Sequence, residues 1–275
     1  MASEGLQGHR ARKRFGQNFL HDRHWIERIA KAVNATEGDD IVEIGPGQAA
    51  LTRELIAGAG KVRAVEIDRD LAAWLKETFP ESLSLIEADA LTLDWTQVAR
   101  NDNLRVVGNL PYNISSPLLF KLLEAADHVK DQHFMLQKEV VDRMVAQHGS
   151  KTYGRLSVML QWRYRMQKLF DVPPGAFNPP PKVMSSVVRM IPKTKEEVPS
   201  VDFELFSSVV ANAFSQRRKT IRNALSALLS AEEIAACDVD PGARAEALPL
   251  DAFVRLAQKA EALGRKAVTP GTTVN

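Results

Sequence analysis

The sequence predicts an α/β domain built on a parallel sheet, followed by a smaller all-helical domain. The run Ile41-Val42-Glu43-Ile44 feeds straight into Gly45-Pro46-Gly47, the form of a buried parallel strand ending in a glycine turn. A second apolar run, Val62-Arg63-Ala64-Val65, ends in Glu66-Ile67-Asp68. That acid stands about twenty residues past the glycines, where a nucleotide-binding βαβ unit holds the ribose hydroxyls. Beyond Pro192-Lys193-Thr194-Lys195-Glu196-Glu197-Val198-Pro199, which reads as a linker, apolar residues recur only at helical spacing.

Composition permits this arrangement. The chain has 275 residues, 45% hydrophobic and 25% charged, enough for two domains with real cores. It carries no apolar run of bilayer-spanning length and no signal-peptide pattern, so a cytoplasmic protein without membrane association is expected. The single cysteine, Cys237, excludes an internal disulfide and most cysteine-rich metal sites, and no metal is expected. Net charge is only +2, but the cations cluster in His9–Arg14 and in Arg217-Arg218-Lys219 with Arg222. Such clusters are footprints for phosphate, although each alone is more often a solvated face.

In chain order, residues 1–23 read as a basic arm, mobile over 1–16, and Gln17-Asn18-Phe19-Leu20 is too short to decode. Trp25, Ile26, Ile29 and Val33 space a helix from about His24 to Val33. After the glycine turn, Leu51, Leu55 and Ile56 mark the inner face of a helix closing at Gly58 or Gly60. Ser84–Ala90 is a third strand, bringing Asp89 to the carboxyl edge of the sheet, and Leu104–Gly108 is a fourth, running into Asn109-Leu110-Pro111-Tyr112. Helices are expected around Pro117–Ala126 and Glu139–Gln147, with Phe134–Leu136 a buried strand between them. A polar loop, Lys151–Leu156, leads into Ser157–Trp162. Phe177-Asn178-Pro179-Pro180-Pro181-Lys182-Val183 is a proline-stiffened loop before a strand over Ser186–Ile191. The domain so delimited spans 24–192. In the second, at 200–266, Phe203, Phe206, Val209, Val210 and Ala213 mark one helix, and Ile221, Leu225, Leu228 and Leu229 the next. The last helix runs Leu250–Leu263, and residues 267–275 are expected to be a disordered tail.

The candidate site is the set of strand ends. Gly45 and Gly47 let the backbone approach a ligand at a helix N-terminus. Glu66 and Asp89 offer carboxylates at the next two strand ends. Asn109 offers an amide, Pro111 fixes the backbone that aims the Leu110 carbonyl, and Tyr112 offers a flat face for a base. Two oxygen acceptors suit an exocyclic amine such as N6 of adenine, a poor nucleophile until both its N–H bonds are engaged. Phe177 is a candidate second face, opposite Tyr112, with a buried core ring as the equal alternative. The spacing Gly45-x-Gly47-x-x-Ala50 also satisfies the dinucleotide fingerprint. A nicotinamide dehydrogenase is therefore a rival, opposed by Glu43 and by the lack of a hydride-transfer constellation.

Taken together, Gln17–Leu20, Val42–Gly47, Val65–Asp68, Glu87–Ala90, Gly108–Ile114, Phe177–Ser185 and Phe214–Lys219 resemble the bacterial small-subunit ribosomal RNA dimethyladenosine transferases, the kasugamycin-sensitivity family. The resemblance covers nearly the whole chain. It implies a Rossmann-like sheet using S-adenosyl-L-methionine, with Asn18, Leu20, Gly45, Gly47, Glu66, Asp89 and Asn109 around that cofactor. Glu66 takes the ribose hydroxyls and Asp89 the adenine amine. Asn109, Leu110, Tyr112 and Phe177 form the target-adenine site. The implied activity is dimethylation of N6 on two adjacent adenosines in the 3′-terminal hairpin loop of 16S rRNA, in an assembling 30S particle, by a monomer that also serves as a late assembly factor. Arg12, Lys13, Arg14, Arg217, Arg218, Lys219 and Arg222 are the expected rRNA contacts. A large-subunit rRNA or DNA adenine-N6 methyltransferase is the alternative. Gln48 and Ala49 stand where methyltransferases often carry a third glycine, which puts close backbone approach there in doubt.

Overall fold

A computed structural model of the chain describes residues 6, 8, 11–12, 15–216 and 218–270. Its strands are β1 (Phe19–Leu20), β2 (Ile41–Ile44), β3 (Val62–Glu66), β4 (Leu83–Glu87), β5 (Leu104–Asn109), β6 (Val129–Gln137), β7 (Tyr164–Val172), β8 (Phe177–Asn178) and β9 (Ser185–Pro192). Its helices are α1 (Arg23–Val33), α2 (Ala50–Ala59), α3 (Arg69–Thr78), α4 (Trp95–Val98), α5 (Ser115–Leu122), α6 (Lys138–Met144), α7 (Arg155–Arg163), α8 (Phe203–Ala213), α9 (Ile221–Ala224), α10 (Ala231–Ala235) and α11 (Leu250–Ala262).

Seven strands form one sheet in the order β4-β3-β2-β5-β6-β9-β7. β2 pairs in parallel with β3 and β5, β3 with β4, and β5 with β6, while β9 runs antiparallel to β6. Every residue of β2 and β3 is buried, as expected of central strands covered by helices on both faces. The chain leaves β2 toward β3 and β4, then crosses back to β5 on the other side. That reversal leaves a crevice outside the carboxyl ends of β2 and β5, where ligands bind in such sheets. Gly108 is needed beside it: a Cβ there would lie 2.8 Å from the Ile44 carbonyl oxygen.

Local signals set the helix ends. Asp22 caps α1 by accepting from the His24 N–H, and Asn34 closes it in the left-handed region at φ 50°. Asp68 caps α3 by accepting from the Asp70 N–H.

The chain divides into two compact units, one made of the residues up to Val141 with Arg165–Pro192, the other of Asp142–Tyr164 with the residues from Lys193 on. The expected boundary of 24–192 therefore needs correction, because residues 142–164 pack with the helical unit. Trp162, near the end of α7, stacks on Phe203 and Phe206 of α8 at 5.6 and 5.3 Å between ring centres. A helix through Ile221–Leu229 is also not formed. Ile221 and Arg222 give their N–H groups to the carbonyls of Ala243 and Pro241, and α9 stops at Ala224. The expectation of disorder from 267 is corrected at Val268. Its N–H donates to Ser208 Oγ (2.8 Å) and its carbonyl accepts from Asn212 Nδ2 (3.0 Å). Residues 271–275 of that tail lie outside the described residues.

Candidate active site

A cavity of about 350 Å³ opens at the carboxyl ends of β2, β3 and β5 and just beyond β4, and its lining includes Gly45, Gly47, Glu66, Asp89, Asn109, Leu110 and Tyr112. Strand ends separated by more than sixty residues of sequence thus meet at one point. The glycine turn takes left-handed backbone at Gly45 (φ 66°), Gly47 (φ 56°) and Ala49 (φ 61°). Ala49 therefore fills, at some strain, a position that suits glycine. Gly47 is restricted in space as well, since a Cβ there would sit 3.0 Å from the Phe19 ring.

Phe19 belongs to the stretch that the sequence left undecoded, and that stretch is a wall of the cavity. Phe15, Gly16, Gln17, Asn18, Phe19 and Leu20 all line it. Gln17 Nε2 donates to Asp68 Oδ2 (3.0 Å), and the Arg12 N–H donates to Gln17 Oε1 (2.7 Å). The Arg12 guanidinium bonds Asp68 Oδ1 (3.0 Å) and also pairs with Asp70. This corrects the expectation of a mobile arm. At Arg12 and over residues 15–16 the arm is docked, not mobile, and the Arg12 guanidinium is engaged by two carboxylates. Lys13, Arg14 and Arg217 lie outside the described residues. Arg218, Lys219 and Arg222 are exposed in the second unit.

Asn109 ends β5 with its side chain oriented by the same wall, Nδ2 donating to the Asn18 carbonyl at 3.0 Å. That bond commits the donor half of the amide, which turns Oδ1 to other work. The Leu110 side chain is buried, and its N–H is held by the Met135 carbonyl (3.1 Å). Tyr112 is half-buried, and its hydroxyl bonds Ser185 Oγ at 2.7 Å, which fixes the ring by its far end. Asp89 also lines the cavity, one oxygen accepting from the Leu91 N–H (2.9 Å).

Phe177 is not brought to this point. Its strand β8 pairs Phe177 with Leu20 of β1, and the ring is 2% exposed in the apolar cluster with Leu20, Val172 and Ala176. The pairing of two short strands turns the ring inward, so in this structure it packs as core and not as a face opposite Tyr112.

Burial governs the carboxylates. Glu66 is pushed above the ordinary glutamate range by burial, against N–H donors from Asp68 (2.9 Å) and Gly47 (3.3 Å) that favour its charged form. Glu43 is pushed up to about 7 by complete burial, although Thr52 donates to it at 2.6 Å, and nearby Glu66 adds to the shift. The sequence reading gave no place at the site to the lining residues His133 and Met135. His133 on β6 is buried and driven down to about 4 by desolvation, so it is neutral at pH 7, and Met135 lies two residues on. Only their pairing with Val107 and Asn109 brings them to the cavity, and that register has no signature in the sequence.

A prediction follows from Glu43. Its folded-state value lies above the ordinary 4.5, so it stays protonated in the fold while the unfolded chain ionises. Stability is then complete below about pH 4.5 and is lost as pH rises through about 7. Glu43→Gln removes the ionisable group but keeps an oxygen for Thr52. The loss of melting temperature between pH 5 and pH 8 should shrink by several degrees in this variant, as measured by circular dichroism. Parallel melting curves for the two proteins across that window would rule the assignment out.

The chain matches known proteins along most of its length. The model of the family described as "Ribosomal RNA adenine dimethylase" matches residues 8–261. A Thiobacillus denitrificans protein named ribosomal RNA small subunit methyltransferase A is 57% identical over 241 residues, covering 87% of this chain and 94% of that protein. The Pseudomonas aeruginosa protein of the same name is 52% identical over 265 residues, covering 95% and 99%. Among solved structures, a dimethyladenosine transferase from Plasmodium falciparum superposes with a TM-score of 0.79 at 25% identity, over 91% of this chain and all of that one. The 23S rRNA methyltransferase ErmE gives 0.69 at 26% identity, over 89% of this chain and all of that one.

Proposed function

The chain belongs to the ribosomal RNA adenine dimethylase family, and from that premise we propose that it is the S-adenosylmethionine-dependent enzyme that dimethylates N6 of two adjacent adenosines in the 3′-terminal hairpin loop of 16S rRNA. The observation that carries this reading is the Asn109–Tyr112 turn at the cavity, with the Asn109 amide tied by its donor half to Asn18. An adenosine leaving its stack can lay its base on Tyr112 and place its amine between two oxygen acceptors, Asn109 Oδ1 and the Leu110 carbonyl.

The cavity fits the cofactor by size and by the character of its lining. Glycine backbone at Gly45 and Gly47 gives room for a close ligand, Glu66 stands where ribose hydroxyls are held, and Asp89 stands where an adenine amine can donate. Asn18 and Leu20 close the other wall. When bound, S-adenosylmethionine supplies an electrophilic methyl group on a sulfonium. The protein's share is orientation and electrostatics: two acceptors draw the amine's N–H bonds, and the burial of the site limits competing water. No general base is needed, because an amine made cationic by methylation releases its proton readily. Phe177 joins the target site only if it leaves the core, and the mechanism does not depend on it.

The relatives named as small-subunit methyltransferases share 52–57% of aligned residues with this chain, against 26% for the large-subunit enzyme ErmE. That difference favours small-subunit rRNA over the large subunit; an assembling 30S particle as the substrate and a cytoplasmic monomer as the acting form are part of the same proposal. Among the described residues no helix is long and apolar enough to cross a membrane. The test is transfer of labelled methyl from S-adenosylmethionine to small subunits from cells lacking the protein, followed by nucleoside analysis. Dimethyladenosine in the 3′-terminal hairpin is the expected product. Label in large-subunit RNA or DNA alone would overturn the substrate, and no label with subunit binding intact would leave only an assembly role.

A further inference from the structure

Tyr112 is held at both ends. Its carbonyl accepts from Ser115 Oγ at 3.1 Å, and its hydroxyl bonds Ser185 Oγ at 2.7 Å. Ser115 and Ser185 are both fully buried. Ser185 opens β9, where it pairs with Gln137 at the end of β6, and the carbonyl of its neighbour Met184 accepts from the Lys138 N–H at 2.9 Å. On the other side Ser186 Oγ donates to Asp171 Oδ1 on β7. Ser185 is thus mounted on the sheet, and it stands behind the cavity lining to which Tyr112 belongs. It acts on a base in the cavity only through the Tyr112 ring. A tyrosine ring held at Cβ alone rocks about a broad second torsion. With its far end pinned, the face it offers to a base keeps one plane.

That constraint weighs differently on the two methyl transfers to one adenine. In each, the lone pair of the amine nitrogen forms the new N–C bond while the methyl carbon leaves sulfur. Sulfur keeps the electron pair of the broken bond, and the cationic nitrogen then gives a proton to water. Before the first transfer the amine has two N–H bonds, one for Asn109 Oδ1 and one for the Leu110 carbonyl. After it a single N–H is left, so one of the two oxygens has lost its donor. The methylated base is held by one hydrogen bond fewer, and more of its orientation rests on the stack with Tyr112.

We infer that Ser185 is a positioning residue for the second methyl transfer, holding the Tyr112 ring in the plane on which the singly methylated adenine stacks. This rests on the adenine-dimethylation reading above and names the part of the site that carries the reaction past its monomethyl stage.

The experiment follows products over time on unmethylated small subunits, with the wild-type protein, Ser185→Ala, Tyr112→Phe and the double variant. N6-methyladenosine and N6,N6-dimethyladenosine are counted separately. In Ser185→Ala the second transfer should slow by about tenfold and the first by less than about threefold, the range spanned by one lost hydrogen bond. N6-methyladenosine then accumulates. Tyr112→Phe keeps the flat face and removes the hydroxyl, so it should accumulate the same intermediate, and the double variant should do no worse than either single one. A merely structural role for Ser185 would slow both transfers alike. Equal slowing, no slowing, or a double variant in which the two effects add would each overturn the inference, while dimethyladenosine from the wild type leaves the function standing. No dimethyladenosine from the wild type overturns the function instead. A further readout needs no turnover. The chain has three tyrosines, and NMR of protein labelled at the tyrosine Cζ carbons identifies Tyr112 by the signal that Tyr112→Phe lacks. In Ser185→Ala that signal should move while those of Tyr153 and Tyr164 stay. An unmoved signal means that the two hydroxyls are not bonded in solution and rejects the inference.

Discussion

Replacing Asn109 by alanine should lower the turnover of methyl transfer by about 10²–10³-fold, the usual effect of removing one positioned polar group from the place where charge develops. The expectation comes from how the side chain is held. The Asn109 amide donates to the Asn18 carbonyl at 3.0 Å, while its peptide unit closes β5 opposite Met135. Alanine removes both an acceptor for the target amine and the tie between the strand end and the wall made by residues 15–20. Cofactor affinity should fall as well, by a smaller factor, because that wall lines the same cavity. Asn109→Asp separates the two roles. It keeps an acceptor oxygen but sets a carboxylate against the Asn18 carbonyl, so the loosened wall, seen as weaker cofactor binding, should dominate its defect. Single-turnover rates at saturating subunits and cofactor give the comparison. Wild-type turnover in the alanine variant would remove Asn109 from the mechanism.

Asn109 was visible in the sequence because everything needed to notice it is local. The same holds for Gly45 and Gly47 after an apolar run, for Glu66 at the end of the next strand, and for Asp89 after the third. Each strand advertises its own end, and a parallel sheet gathers such ends on one edge whatever lies between them. The sequence is silent where a residue's role depends on what pairs with it. Phe177 sits in a proline-rich loop that suits a rigid mount, but its pairing with Leu20 makes it core. Arg12 lies in a run of cations that reads as a phosphate footprint, and Asp68 and Asp70, more than fifty residues on, engage its guanidinium. Residues 142–164 carry no composition shift to announce that they pack with the helical unit. His133 and Met135 reach the cavity by register alone.

Arg105 is the strongest case of a residue hidden inside an apolar run, and its loss should cost more stability than that of any surface cation. It lies on β5, four residues before Asn109, and is 5% exposed. Nε and Nη2 bond the two oxygens of Asp131 on β6, each at 3.0 Å, and Nη1 bonds Asp39 at 2.6 Å. The remaining donors reach the carbonyls of Val33 (2.6 Å) and Asn34 (3.3 Å) at the C-terminal end of α1, where a cation is also favoured by the helix dipole. One guanidinium thus joins α1, β5 and β6 behind the site. Arg105→Ala takes the guanidinium from two nearly buried carboxylates, leaving Asp39 with Thr36 and the exposed Lys130, at an expected cost of about 3–5 kcal/mol in unfolding by urea. The pH dependence carries the same signature. Burial pushes Asp39 up, but hydrogen bonds from Thr36 and from Arg105, with the charge of Arg105, hold it down at about 2. Its contribution to stability is therefore present above the ordinary 3.8 and is lost as pH falls toward 2. Without Arg105 that depression weakens, and the acid-unfolding midpoint should move to higher pH. Arg105→Ala/Asp131→Ala should recover part of the loss, because removing a charge together with its partner leaves fewer groups buried without compensation. If the double variant is no more stable than the single one, Arg105 acts through packing of its aliphatic stem and not through the ion pair.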